Sequence, residues 1–150
     1  MTPHGGQIAA YASNDVNTAN RLQLLIMLYE GAIRFMSRAN EAMKAGNLAD
    51  KGLYLHKAQA IIDEFKGTLD FSASKDLATE LERLYDFITD RLHAANMRND
   101  RRSLAEAMKI TGILRDAWVE LSEQVGTGTD AHLERAAKAV NENSVLRISV

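Results

Sequence analysis

Apolar side chains recur at helical spacing through most of the chain, and the densest run is Leu22-Gln23-Leu24-Leu25-Ile26-Met27-Leu28-Tyr29-Glu30-Gly31-Ala32. On a helix of about 3.6 residues per turn, Leu22, Leu25, Ile26, Tyr29, Ala32, Ile33, Met36 and Met43 fall on one side, as the buried seam of a bundle requires. Leu24, Leu28 and Phe35 form a second row beside it. The apolar arc therefore covers roughly half the circumference, wider than the ~100° stripe of an ordinary surface helix. This helix has more to cover than one core face.

Its start is expected near Thr18 or Asn20, either of which can cap it, and its end at Ala45, where Gly46-Asn47 is a C-terminal stop signal. A second helix starts at Asn47, carries Asp50 in its first turn, and places Leu55, Ala58, Ile62, Phe65 and Leu69 on one seam. After Asp70-Phe71-Ser72-Ala73, Ser74 can cap a third helix that gathers Leu77, Leu81, Leu84, Tyr85, Ile88, Leu92 and Ala95 on one face and ends near Met97. The polar turn Arg98-Asn99-Asp100 precedes a fourth, with Leu104, Ala107, Thr111, Leu114, Trp118, Leu121 and Val125 in its seam and Met108, Ile110, Ile113 and Ala117 flanking it. Gly112, in mid-helix, marks either a close approach by another backbone or a merely tolerated glycine.

Period-two alternation is nearly absent, and the lone proline is Pro3. The expected fold class is all-α, an antiparallel up-down four-helix bundle over residues 18–125, because long helices joined by short turns must reverse direction. Residues 1–17 are expected to form a mobile N-terminal arm with a short helical turn around Ile8 to Tyr11. Residues 126–150 form a flexible linker at Gly126-Thr127-Gly128-Thr129, then a short helix capped by Asp130 and carrying Leu133, Ala137 and Val140, then a tail.

A chain of 150 residues suffices for one domain with one core. Its 18 Lys+Arg against 20 Asp+Glu leave a formal net charge of -2, which favours neither nucleic acid nor an anionic membrane as a partner. The lack of cysteine excludes disulfides, thiolate zinc sites and cysteine nucleophiles. The start has no basic and apolar regions of a signal peptide, and no apolar run approaches the ~18 residues of a membrane span, so a soluble cytoplasmic protein without membrane insertion is expected. Met27, Met36, Met43 and Met108 read as core filler, although methionines beside a groove would also let it adapt to a partner helix.

Enzymatic chemistry finds little purchase. A carboxylate-bridged metal pair in a bundle needs Glu-x-x-His from two helices, and the nearest approach is a single Asp90-Arg91-Leu92-His93. His56-Lys57 superficially fits a phosphotransfer bundle, but the context His-x-Leu-Lys-Gly is missing around His4, His56, His93 and His132. No Gly-rich phosphate loop, nucleophile elbow or triad spacing occurs, and Arg98, Arg101 and Arg102 are partly neutralised by Asp100. No enzyme activity, metal or cofactor is expected. On physics alone, the surplus apolar rows suit helix packing within the bundle, a homodimer or a partner helix about equally.

The segment Leu24-Leu25-Ile26-Met27-Leu28-Tyr29-Glu30-Gly31-Ala32-Ile33 resembles the first-helix signature of the flagellar secretion chaperones of the FliS family, which escort flagellin to the export apparatus. Lys57-Ala58-Gln59-Ala60-Ile61-Ile62 with Leu69-Asp70, Leu81-Glu82-Arg83-Leu84-Tyr85, the turn Ala95-Asn96-Met97-Arg98-Asn99-Asp100 and Trp118 agree with that family in order and spacing. Arg21 departs from it, standing where the family often has proline. The resemblance spans about residues 8 to 122 and implies a four-helix bundle with a short N-terminal helix. It further implies a cytoplasmic protein that binds the disordered C-terminal segment of flagellin, prevents premature polymerisation and supports export, with the export apparatus as a second partner. Such a protein would be a monomer or weak homodimer without its client. On this reading Leu24, Leu28 and Phe35, with Ile110, Ile113 and Ala117, contribute to the client surface, and Ile8 and Tyr11 occupy or gate it when no client is bound. The rival functions are a histidine phosphotransfer-type signalling bundle and a homodimeric helical interaction protein.

Overall fold

A computed structural model describes residues 15–125, and these form four helices: α1 (Asp15–Ala45), α2 (Leu48–Gly67), α3 (Lys75–Arg98) and α4 (Arg101–Val125). Each helix packs on its neighbours in sequence, and α4 closes the ring against α1, as an antiparallel up-down bundle requires. The arm at residues 1–14 and the segment 126–150 lie outside the described residues.

Two of the three connections use one device. Gly46 ends α1 at φ 73°, the Asn47 N–H returns to the Ala42 carbonyl at 2.9 Å, and the Asn47 side chain accepts from the Asp50 N–H at 3.0 Å to start α2. Asn99 ends α3 at φ 52°, the Asp100 N–H returns to the Ala95 carbonyl at 3.2 Å, and the Asp100 carboxylate caps α4 through the N–H groups of Arg102 and Ser103. A left-handed residue satisfies the outgoing carbonyls and an Asx residue the incoming amides, so the chain reverses in two residues. Lys51 reinforces this tight end. Its buried ammonium donates to the Asn96 carbonyl at 3.0 Å, and Arg101 donates to the Asn40 side chain at 3.1 Å. The α2–α3 connection at the other end is longer. There Asp70 accepts from the Ser72 and Ala73 N–H groups, and Ser74 caps α3.

The seams pack as the spacing dictates. Tyr29, Ala32, Met36, Leu55, Ala58, Ile62, Phe65, Leu81, Leu84, Ile88, Leu104, Ala107 and Leu114 belong to one buried cluster. Thr111 is buried with them because its hydroxyl donates to the Ala107 carbonyl at 2.7 Å, so its polar group is satisfied within its own helix.

Three details differ from the expectation, and one open alternative, at Gly112, is decided. Helix α1 is already formed at Asp15, upstream of Thr18 and Asn20, because Ala19 and Leu22 pack against Leu121 and Val125 of α4 and this contact sustains the extra turn. Met27 is not core filler, being 55% exposed. Ile110, expected beside the seam, is 2% exposed and belongs to the core, because α4 is enclosed by both α1 and α3. Gly112 meets no close backbone, since a Cβ there would find nothing within 4 Å. Gly112→Ala is therefore expected to stabilise the protein by about 0.5–1 kcal/mol through reduced backbone entropy of the unfolded chain, read as a higher denaturation midpoint with unchanged m-value.

Candidate functional site

The two longest-contacting helices differ in length, and the mismatch makes the site. Helix α1 has 31 residues and α2 has 20, so α1 outruns its partner by about 16 Å at 1.5 Å per residue. Tyr29 stacks on Phe65 near the end of α2, at 4.3 Å between centroids, so the α1 residues before it run past the last turn of α2. Where α2 ends, the second apolar row is left open. Leu24 is 59% exposed and Leu28 43%.

These two leucines form one wall of a groove of about 840 Å³ at the open end of the bundle. Leu25 and Arg21 continue that wall, Leu77, Ala78 and Leu81 of α3 stand in the opposite one, and Thr68, Leu69, Asp70, Ala73 and Ser74 close it from the end of α2 and the following connection. Phe65, Tyr85, Trp118 and Leu121 also line it. Most of this surface is apolar, with Arg21, Glu64 and Asp70 as the charged lining groups. A concave apolar strip with a charged margin suits one face of an amphipathic helix, which supplies its own backbone hydrogen bonds and asks only for packing from the wall.

The floor is rigid. Tyr29 and Tyr85 share a hydrogen bond of 2.6 Å between their hydroxyls, and Phe65 lies against both rings. The Trp118 indole N–H lies near the Tyr29 hydroxyl and slightly favours its ionised form, without forming a well-aligned hydrogen bond. Burial pushes the Tyr29 hydroxyl well above the ordinary phenol range, with the Tyr85 oxygen adding to the shift, and burial pushes Tyr85 up to about 12 despite its bond to Tyr29. Both are neutral at physiological pH, as their burial requires. The folded state thus holds these protons more tightly than the unfolded chain, whose tyrosines ionise near pH 10. Stability from the pair is fully present below about pH 10 and is lost as pH rises towards about 12. Tyr85→Phe is expected to flatten that alkaline loss, measured by denaturant melts at stepped pH.

The other sequence-derived positions fall elsewhere. Phe35, in the same row as Leu24 and Leu28, is stacked on Tyr54 of α2 at 6.2 Å and covered by the Lys57 ammonium at 5.6 Å, so α2 uses that part of the row. Ile113 is half-buried against the main core and Ala117 is half-buried further along α4, and neither lines the groove. Ile110 is buried. Ile8 and Tyr11 lie outside the described residues. Leu69 and Leu77, which periodicity assigned wholly to seams, are only partly buried and face the groove. Leu69, expected in the seam of the second helix, lies past its last residue Gly67 in the connection, and Leu77 stands in the first turn of α3.

The sequence profile of the family described as flagellar protein FliS matches residues 5–125. The chain belongs to the FliS family. It is 38% identical to the flagellar secretion chaperone FliS of Bacillus subtilis (strain 168) over 109 residues, covering 73% of this chain and 80% of that one. The FliS of Salmonella typhimurium is 36% identical over 120 residues, 77% of this chain and 89% of the relative. That of Vibrio cholerae is 29% identical over 132 residues, 85% of this chain and 97% of the relative. Membership makes the protein a flagellar export chaperone, and the FliS profile encloses the whole groove from Thr18 to Leu121. No helix among the described residues is long and apolar enough to cross a membrane, and no group of three or more acidic or histidine side chains among them is placed to hold a metal ion.

Proposed function

We propose that this chaperone acts in the cytoplasm on flagellin, taking the disordered C-terminal segment of that client as an amphipathic helix in the apolar groove. The observation that carries the reading is the open row Leu24 and Leu28 opposite Leu77, in a chain of the FliS family. Exposed contiguous apolar surface of this kind marks an interaction site. A disordered client gives up ordering entropy as it folds on the wall, and repeated leucine contacts offset that cost. With the segment held, flagellin subunits stay monomeric until export, and the export apparatus is the second partner. Phe35, Ile113 and Ala117 extend the contact surface beyond the groove as the client wraps the bundle, with Ile110 supporting from beneath. Ile8 and Tyr11 gate the surface when no client is bound.

Mixing the protein with flagellin, and separately with flagellin lacking its C-terminal segment, tests this by calorimetry and light scattering. The expected result is saturable binding to the first and none to the second. Equal binding to both would sink the assignment. If Ile8 and Tyr11 gate, deleting residues 1–14 is expected to raise the association rate, and an unchanged rate removes the gating.

A further inference from the structure

The two tight reversals, Gly46-Asn47 and Asn99-Asp100, lie at one end of the bundle, tied together by Lys51 to Asn96 and by Arg101 to Asn40. The groove is at the other end. Along α1, Leu24 and Lys44 are about 30 Å apart at 1.5 Å per residue, so a helix lying in the groove leaves this tip uncovered.

The tip presents apolar side chains to water. Met97, next to Asn96, is 82% exposed, and Leu48, one turn before Lys51 on the same side of α2, is 64% exposed, the two highest values among the large apolar side chains of the described residues. Lys44, Arg98, Arg101 and Arg102 stand around them with the buried Lys51 ammonium beneath, against Glu41, Asp50 and Asp100. Cations are thus in excess here, in a chain whose formal net charge is -2. The three carboxylates are already engaged. Glu41 holds Lys44 at 3.3 Å, Asp50 accepts from the Asn47 side-chain amide at 2.9 Å, and Asp100 caps α4 and accepts from the Ser103 hydroxyl at 2.8 Å, with the charge of Arg102 nearby. Arg98 and Arg102 form no ion pair among the described residues. Apolar anchors inside a charged margin are the anatomy of a protein docking surface, in which the centre loses its water and the rim steers the approach. A polyphosphate partner asks instead for a long cationic stripe, and the net negative charge of the chain opposes it.

We propose that this tip is a second docking surface, for an acidic face of another protein, with Met97 and Leu48 as its apolar anchors and Arg98 and Arg102 as its charged rim. The unbranched Met97 side chain adapts to an irregular partner surface. Tip and groove are filled without competition, so the chaperone is recognised at one end while its load is held at the other. The tip stands independently of what the groove takes.

A short synthetic peptide of Glu, Asp and Leu, titrated into the full chain, is expected to shift the methyl resonances of Met97 and Leu48 saturably and to leave those of Leu24 and Leu28 unmoved. Arg98→Glu combined with Arg102→Glu is expected to weaken this binding at least about tenfold, as is replacing the acids of the peptide by Gln and Asn. The fold is retained in that variant, because the added carboxylate favours the first turn of α4 as much as it disfavours the last turn of α3, and far-UV circular dichroism checks this. Met97→Ala, which changes no charge, is expected to weaken binding while its salt dependence persists. Shifts confined to the groove methyls, or an affinity untouched by either variant, would overturn the proposal. Tighter binding to duplex RNA or to phosphatidylglycerol vesicles than to the peptide would remove the acidic protein as the occupant. The flagellin C-terminal segment is expected to bind the doubly charge-reversed chain as tightly as the original, and a matching loss there would show that the tip is not separate from the groove. If that segment binds neither chain, the client reading fails while the peptide shifts still decide the tip.

Discussion

Leu28→Glu is expected to weaken binding of the flagellin C-terminal segment by at least about 30-fold, the factor for loss of about 2 kcal/mol at a central apolar contact. The side chain is 43% exposed, so a carboxylate there stays hydrated in the free protein and the fold is retained. In the complex the same carboxylate would be sealed between Leu24 and the partner helix, and that desolvation opposes association. Calorimetry on the variant, with far-UV circular dichroism to confirm helicity, reads both halves of the expectation. Leu53→Glu is the matched control, since Leu53 is 48% exposed but lies on α2 away from the groove. Equal losses in the two variants, or none in Leu28→Glu, would remove the groove from the mechanism.

Phe65→Ala carries the largest expected effect on stability, about 3–5 kcal/mol. Phe65 is nearly fully buried, stacks on Tyr29 at 4.3 Å and lies 5.7 Å from the Tyr85 ring, so its removal opens a cavity under the hydrogen-bonded tyrosine pair. The ring is wedged between α1 and α3, which limits collapse into the gap and puts the cost towards the upper part of that range. Denaturant melts are the measurement, and a loss below about 1 kcal/mol would mean that the floor of the groove repacks freely. Because Phe65 also lines the groove, the variant is expected to bind the client segment less well even at temperatures where it is fully folded.

Acid stability follows from the Asp100 cap and from the Asp70 turn in the α2–α3 connection. The Ser103 hydroxyl and backbone N–H groups hold the Asp100 carboxyl below its usual range, and Ser72 and Ala73 do the same for Asp70. Both groups bind their protons less tightly folded than unfolded, so their contribution is present above the ordinary carboxylate pKa and is lost as pH falls through the lowered folded values. Asp100→Asn, which retains an acceptor for the α4 amides, is expected to remove part of that acid-side dependence while keeping the cap, as read by denaturant midpoints at stepped pH.

Much of the architecture was legible because its determinants are local. Gly46-Asn47 and Asn99-Asp100 specify two-residue reversals through their own backbone preferences and side-chain acceptors, and Ser74 caps α3 whatever surrounds it. The 3-4 spacing of Leu55, Ala58, Ile62 and Phe65 likewise states which face of α2 is buried without saying by what. Leu24 and Leu28 also stood out locally, as apolar residues with no seam of their own.

The fate of each flanking residue was a tertiary matter. Leu24, Leu28 and Phe35 form one row in the sequence, yet Phe35 is covered by Tyr54 and Lys57 while the two leucines are open, because Leu28 lies beside the last turn of α2 and Leu24 beyond it. Ile110 and Met27 exchanged their expected places for the same kind of reason, one enclosed by two neighbouring helices and the other facing away from both. Helical periodicity reports direction around an axis, whereas burial depends on how far the neighbouring helix extends along it. The sequence by itself determined the four helices, the caps of α2 and α3, and most of their core faces. Only the assembled bundle decided that the overhang of α1 past α2 leaves a groove.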